Sequence, residues 1–144
     1  MIFLTDGAFS LTEKNMEDYQ FQFEKLNAWQ EARKLVLNVY QLLEKFPKTE
    51  NYALCDQLRR AVVSVPSNIA EGMGRLAIKE QIHFLEIAYA SLMEVYCQLQ
   101  IAVDLGYITP EDLQIVKRKI FTTSKLISGL RTSKVTQLNG LLRE

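Results

Sequence analysis

The chain is poor in the residues that build disulfide scaffolds and irregular, loop-rich folds. Its 144 residues include two cysteines, three prolines and six glycines. So little proline and glycine favours long regular elements over turns and loops. The two cysteines, Cys55 and Cys97, lie within helical patterns and lack metal-ligand spacing. We therefore expect two reduced thiols of the core type in a cytoplasmic protein.

A net charge and a long apolar run are absent as well. The basic and acidic residues balance to a formal net charge of zero, so the whole chain has no electrostatic attraction to nucleic acid or to a membrane surface. No segment approaches the ~18 uninterrupted apolar residues of a membrane span. The first residues also lack the basic region that opens a signal peptide. We predict a cytoplasmic protein without membrane contacts.

Motifs for catalysis and cofactor binding are missing too. His83 is the single histidine, and it follows Glu80 at the Glu-x-x-His spacing of di-iron bundles. Such a site needs two of these motifs and two further glutamates, so one chain cannot build it. A lone histidine also leaves little scope for a nucleophile–base pair, and Gly72-Met73-Gly74 is too short for a phosphate loop. We predict that the protein is not an enzyme and has no cofactor or metal, with His83 on the surface.

The sequence does contain apolar residues that recur every three or four positions along four stretches, which is the period of an amphipathic helix. The predicted helices cover about 26–45, 50–72 and 78–105, and a fourth starts at about 110, with an apolar pattern that weakens after Leu130. Thr49 is the predicted N-cap of the second helix, and Pro66 within it predicts a kink. Thr109-Pro110-Glu111-Asp112 has the residues favoured at a helix start and opens the fourth helix.

Four such helices with short connections favour one architecture, an up-down-up-down antiparallel four-helix bundle. The fold class is therefore all-α. We place the bundle domain at 23–138 and a C-terminal tail at 139–144. Residues 1–22 show no sustained period and are predicted to form a mobile N-terminal arm.

The third predicted helix has two apolar seams. Its main seam faces the core, and a second seam on the far side consists of Ile87, Ala90, Cys97 and Ile101, interrupted by Glu94. A helix that is apolar on two faces packs on two sides. In a chain of this size we expect the second side to contact another subunit.

The second predicted helix has a polar seam of Arg60, Ser64, Ser67 and Glu71 beside Pro66. One interpretation is a structural network, in which the serines satisfy backbone groups freed by the proline. Arg60 then pairs with Glu71 or Glu94, because partly buried charges need partners. The other interpretation is a binding groove.

Charge is distributed unevenly along the chain. Residues 80–112 contain six acids and no lysine or arginine, whereas residues 117–143 contain seven bases and no acid. Within the basic run, Lys117, Phe121 and Lys125 form a stripe flanked by Arg118. Cations neutralise phosphates and an exposed ring stacks on a base, so the stripe is a candidate nucleic-acid contact. Alternatively, the acidic and basic helices complement each other within one protomer or between neighbours.

A string of residues in the second predicted helix is specific enough to suggest a family. Gln57-Leu58-Arg59-Arg60-Ala61, Ser64-Val65-Pro66-Ser67-Asn68-Ile69-Ala70-Glu71-Gly72 and Gly74-Arg75 resemble the signature of bacterial four-helix-bundle proteins. The best-known members are encoded by intervening sequences in 23S ribosomal RNA genes. A related branch comprises the accessory variability determinants of diversity-generating retroelements.

The resemblance implies a ring-shaped homo-oligomer, with a pentamer expected. In the retroelement branch it also implies binding to nucleic acid and to a reverse transcriptase. That branch is strongly basic, whereas this chain is neutral. Our hypothesis is a non-catalytic oligomer that contacts RNA or single-stranded DNA through the fourth helix. The alternative is a protein-binding scaffold for a partner such as a reverse transcriptase, without nucleic-acid binding.

Overall fold

The computed structural model describes residues 13–143, and every regular element in that part of the chain is helical. Five α-helices follow in order: α1 Glu13–Asp18, α2 Asn27–Leu43, α3 Leu54–Met73, α4 Ile78–Asp104 and α5 Pro110–Leu142. Short 3₁₀ turns at Gln22–Lys25 and Lys48–Glu50 precede α2 and α3. Most of the predicted mobile arm lies outside the described residues.

Helices α2 to α5 form the four-helix bundle. Each packs on its neighbours in the chain, and α2 also packs on α5, so α2 is diagonal to α4 and α3 is diagonal to α5. Antiparallel pairing is visible in two hydrogen bonds between α3 and α4, because Ser64 meets Ser91 and Gln57 meets Gln98. Within residues 13–143, no helix combines the length and the apolarity needed to cross a bilayer.

The core is a continuous apolar cluster along the inner faces of these four helices. Its fully buried large side chains are Leu35, Val39, Leu58, Val62, Val65, Ile69, Leu85, Leu92, Val95, Leu99 and Ile127. Their periodic spacing is what the sequence pattern predicts. Because isolated helices are marginal in water, burial of these stripes provides most of the stability of the fold.

Two turns at one end of the bundle are held by side chains. Gly106 has a φ of +76° and follows the last turn of α4, where Tyr107 N–H donates to Ala102 O, as in a glycine C-cap. The Tyr107 hydroxyl then donates to Glu50 Oε1 at 2.9 Å. This hydrogen bond to a carboxylate raises the pKa of Tyr107.

One predicted helix cap needs correction. Thr49 is not the N-cap of α3; that position is Ala53, and the Glu50 carboxylate accepts from the Leu54 N–H at 3.1 Å instead. At the other end of the chain, α5 continues well beyond Leu130, to Leu142. The sequence pattern weakens there because most side chains of residues 131–142 are exposed and no longer need an apolar period. The predicted cap of α5 is confirmed, with Thr109 and Asp112 forming a reciprocal capping box.

The close approach of α3 and α4 explains one residue of the signature string. A Cβ at Gly72 would lie 2.9 Å from the Cβ of Phe84, a distance that real side chains do not reach. Pro66 lies inside α3, which runs unbroken from Leu54 to Met73. The predicted kink at this proline stays a prediction.

Candidate functional site

The basic stripe of the sequence lies on the outer surface of α5. Lys117, Arg118, Phe121 and Lys125 are all exposed, and the Phe121 side chain is 60% accessible. The inner face of the same helix is occupied by the core residues Val116, Ile120, Thr123 and Ile127. Because an α-helix has 3.6 residues per turn, the exposed residues between these core positions point away from the core. The structure therefore brings the four predicted contact residues together on one accessible surface.

Three cations of α5 lie over aromatic rings. Lys117 Nζ is 5.7 Å from the centroid of the Tyr96 ring, and Lys125 Nζ is 5.3 Å from that of Phe121. One to two turns further along, the Arg131 guanidinium is 5.3 Å from the centroid of Tyr89. We call these three pairs the cation–ring ladder. Its first and third pairs join α5 to α4, and the pair Lys125–Phe121 lies within α5.

Sequence reasoning missed half of this ladder. Tyr89 and Tyr96 have the spacing of the main apolar seam of α4, which predicts core positions, but both are only partly buried. Arg131 falls on the apolar side of α5, where the apolar period of the helix weakens. Tyr89 and Tyr96 are seven residues apart and so lie on one face of α4. Because α5 packs antiparallel to α4, this spacing is the signal that places both tyrosines beside cations of α5.

No carboxylate neutralises the ladder. In the described part of the chain, none of Lys117, Arg118, Lys125 and Arg131 lies within ion-pair distance of an acid. One charged contact does link α5 to the turn that follows α2, since Lys45 pairs with Asp112 at 2.8 Å. Lys119 donates to Asn38 of α2. The acidic residues of α4 and the basic residues of α5 therefore do not complement each other through ion pairs inside the protomer.

The predicted polar seam of α3 is divided by the structure, and its predicted ion pairs are wrong. Arg60 pairs with Asp56 at 3.0 Å and Glu71 with Arg75 at 3.3 Å, so neither Arg60–Glu71 nor Arg60–Glu94 forms. Both observed pairs join residues four positions apart on one helix. Such neighbours meet without any tertiary contact, which is why they outcompete the longer-range partners.

The serines of this seam lie on different sides of α3. Ser64 Oγ is hydrogen-bonded to Ser91 Oγ of α4 at 2.9 Å and accepts from the Asn68 amide at 2.8 Å. Ser67 instead donates to the backbone carbonyl of Val63 at 2.7 Å and borders the groove between α2 and α3. Ser64 and Ser91 thus link α3 to α4, whereas Ser67 has a local role.

Polar residues of α3 and α4 line a shallow groove between these two helices. Gln57, Arg60, Ser64, Ser91 and Glu94 line it. The Glu94 carboxylate accepts from the buried Gln98 amide at 3.1 Å, and the same amide group donates to Gln57. This interaction holds Glu94 on the α3 side of the outer surface of α4.

The second apolar seam of α4 lies on the protein surface. Cys97 is exposed, Ile101 is 43% accessible, and Ala90 is exposed, while Ile87 is partly buried. The expectation that both cysteines are core thiols is thus wrong for Cys97. Cys55 is buried, and burial raises the pKa of its thiol.

The exposed His83 lies edge-on to Phe84, with ring centroids 5.7 Å apart. In residues 13–143 no three His, Cys, Asp or Glu side chains come together as a possible metal site.

Comparison with known proteins gives a family and a fold. The family model of the 23S rRNA-intervening sequence protein matches residues 24–129, which include α2, α3, α4 and more than half of α5. A crystal structure of a protein of unknown function from the S23 ribosomal protein family of Bacteroides thetaiotaomicron is similar, with a TM-score of 0.67 at 18% identity. The match covers 73% of this chain and 95% of that one, and at such low identity it shows the fold alone. No curated protein matches the chain.

Proposed function

The chain belongs to the 23S rRNA-intervening sequence protein family, and we propose that it is a non-catalytic, cytoplasmic homo-oligomer that binds RNA or single-stranded DNA through the outer surface of α5. The proposed contact residues are Lys117, Arg118, Phe121 and Lys125. The cation–ring ladder adds Tyr89, Tyr96 and Arg131 to this surface.

The observation that carries the proposal is the combination of exposed cations and rings without acidic partners. A polyanion supplies the missing negative charge, and each neutralised phosphate releases counterions. Phe121 offers an accessible ring for stacking, which is sequence-tolerant because every base has a π-face. Each cation in the ladder can exchange its ring for a phosphate at little cost, since an exposed cation–π contact contributes only ~0.5–1 kcal/mol.

Assembly is the second part of the proposal, and it rests on the second apolar seam of α4, in which Ala90, Cys97 and Ile101 are exposed and Ile87 is partly buried. A contiguous apolar surface on a soluble protein commonly marks an interface. In a ring, expected to be a pentamer, the α5 surface repeats once per subunit. Modest contacts then add across one flexible strand and raise the avidity without any strong single site.

Binding titrations with salt variation test this function. A labelled unstructured RNA, the DNA strand of the same sequence and its duplex are each titrated with the protein by fluorescence anisotropy. We expect affinity for both single strands to fall steeply between ~50 and ~200 mM salt, with little sequence preference. Absence of binding to either single strand at the lowest salt concentration would refute the nucleic-acid part.

A second candidate function is a protein-binding scaffold for a partner such as a reverse transcriptase. Two observations favour it: the net charge of zero and the polar groove lined by Gln57, Arg60 and Glu94. Under this alternative the oligomer binds no nucleic acid at low salt but retains a polymerase encoded beside it. Co-purification with the products of neighbouring genes, with and without nuclease, separates the two functions.

A further inference from the structure

The groove between α2 and α3 combines exposed apolar side chains with charged ones, as the apolar seam of α4 does. It contains two arginines where the seam has acids. Its apolar members include Leu37, which is 65% accessible, with Tyr40 and Val63 at about 40%. Arg33 and Arg59 lie among these side chains. We define the α2/α3 groove by these five residues. Exposed apolar side chains clustered in this way mark an interaction surface.

Neither arginine of the α2/α3 groove has an acidic partner in the described part of the chain. The Arg33 guanidinium lies 5.3 Å from the centroid of the Trp29 ring. Arg59 donates to the backbone and side-chain oxygens of Asn51 at 3.1 and 3.2 Å. The groove is thus partly apolar: Arg33 contacts only a ring, whereas Arg59 is held by Asn51 and Glu44 lines the same end of the groove.

The outer surface of α4 has acids that are complementary to the arginines of the α2/α3 groove. Its apolar seam carries Glu94 at the centre, and the exposed carboxylates Glu86 and Asp104 flank it. No cation in the described residues is paired with any of the three. From these two surfaces we infer that α4 of one copy docks in the α2/α3 groove of the next copy. This inference rests on the homo-oligomer of the proposed function and identifies its two contact faces.

The apolar seam of α4 and the α2/α3 groove lie at the same height along the bundle axis. The Ser64–Ser91 and Gln57–Gln98 contacts place Arg59 level with α4 residues close to Tyr96. The Asn38–Lys119 and Lys117–Tyr96 contacts place α2 near Asn38 at the same level. Copies related by a cyclic axis lie at equal height, so in a ring whose bundles run parallel to that axis the residues of the seam meet residues of the groove at their own level.

Two specific contacts follow from this matching. Glu94 comes between the levels of Arg33 and Arg59, where it can receive charge-assisted hydrogen bonds from both. Cys97 comes close to Leu37 and Tyr40, which surround it with apolar atoms. Acid thus meets base and apolar side chains meet apolar side chains.

The order of helices places the two contact faces on the same side of the bundle. Glu94 lies on the α3 side of α4, since it lines the groove that α4 shares with α3. Both contact faces are therefore adjacent to α3 and not on opposite sides of the bundle. Each docking step then turns in the same direction, and such heterologous contacts form a closed ring when the rotation per step closes. Helix α5 is diagonal to α3, so its basic surface stays outside both contacts and remains accessible to a polyanion.

Cysteine cross-linking tests the docking directly. The variant Leu37→Cys is oxidised mildly with its native, exposed Cys97, and the products are separated on a non-reducing gel. We expect a ladder of disulfide-linked chains up to the full ring, because the two thiols lie at matching levels and a disulfide needs Cα atoms ~4.4–6.8 Å apart. Thr122→Cys on the outer surface of α5 is the matched control and should remain monomeric on the gel, as should the unmodified chain.

The outcomes distinguish this inference from the proposed function. If light scattering shows an oligomer but Leu37→Cys links no better than Thr122→Cys, the docking inference is wrong and the homo-oligomer stands. If light scattering shows a monomer, both are wrong, and nucleic-acid binding is judged by its own titration. A charge test adds a second readout: Glu94→Arg should dissociate the oligomer, and adding Arg33→Glu with Arg59→Glu should restore it.

Discussion

The outer surfaces of α4 and α5 are built on the same principle but face different partners. Both helices bury one stripe in a common core, and both keep exposed apolar or aromatic residues on the opposite side. In the α4 seam these residues are aliphatic and accompany acids, whereas in the basic stripe of α5 the exposed ring of Phe121 lies among bases. Aliphatic side chains suit a dry contact with another protein, while a ring flanked by cations suits a base and its phosphates. Chemical type, more than exposure, therefore separates the two surfaces.

The largest expected effect is on the α4 surface. Replacing Ile87 and Ile101 together with Glu should dissociate the oligomer completely at micromolar concentration, because two buried charges would face the partner. Sedimentation should show monomers, and the helical circular dichroism should be largely unchanged. Unfolding of the protomer instead would place this seam in the intramolecular core.

The matching change on α5 should leave assembly intact. Lys117→Glu with Lys125→Glu removes two cations and adds two repelling charges per subunit, so affinity for single-stranded RNA should fall by roughly 100-fold or more at low salt. The oligomer should keep its sedimentation coefficient. If the double reversal dissociates the oligomer, then α5 faces an acidic neighbour and the contrast between the two helices disappears.

A smaller effect is expected from the exposed ring alone. Phe121→Ala should weaken binding of a single strand by about tenfold, since stacking contributes ~1–3 kcal/mol per base. Duplex binding should change less, because paired bases are not available for stacking. Equal losses for single strand and duplex would mean that Phe121 does not stack on bases.

The starts of the two helices give a prediction about stability. Thr109 caps α5 by accepting from Asp112 N–H at 3.1 Å, whereas Ala77 at the start of α4 has no side-chain cap. Thr109→Ala should therefore lower the free energy of unfolding by about 1 kcal/mol, and Ala77→Ser should raise it by a similar or smaller amount. Urea denaturation measures both; a destabilising Ala77→Ser would show that this turn cannot adopt a capped geometry.

The α5 cap should also be sensitive to pH. The Lys45 ammonium, followed by the Thr109 N–H, lowers the pKa of Asp112 below its ordinary value. A carboxyl whose pKa is depressed by folding stabilises the protein above its unfolded pKa, and that contribution is lost as the pH falls through the folded pKa. Asp112→Asn should thus reduce stability at neutral pH, and its difference from the parent chain should vanish in acid. A difference that persists at low pH would argue for packing in place of charge.

The smallest effect is expected at Glu71. A sequence-based interpretation with a buried Arg60–Glu71 pair predicts a loss of ~3–5 kcal/mol for Glu71→Ala. The observed partner is Arg75, and both side chains are about half exposed. Surface pairs of this kind contribute ~0–1 kcal/mol, so the melting temperature should hardly change. A large drop would restore the structural network as the interpretation of this seam.

Much of the fold was predictable because one physical signal dominates it. The 3.6-residue period of apolar side chains specified four helices, and the short connections then favoured an antiparallel order. The cap at Thr109 and the glycine at 106 act locally, within five residues, so the sequence determined them as well. Thr49 failed as a cap because Ala53 is the actual N-cap of α3, and Glu50, which lies outside the helix, accepts from the first helical N–H.

Partnerships between helices were decided only by the tertiary structure. Ion pairing depends on which neighbour is nearest, and the sequence alone did not show that Arg60 pairs with Asp56 or that Ser64 meets Ser91. Likewise, Tyr89 and Tyr96 have the spacing of core residues, and only the packing of α5 beside them makes them part of a cationic surface. The apolar period repeats along one helix, so it shows which side chains of that helix face the core. The rotation and level of one helix against another are set by the packing of side chains from both, and no single stretch of sequence contains that information.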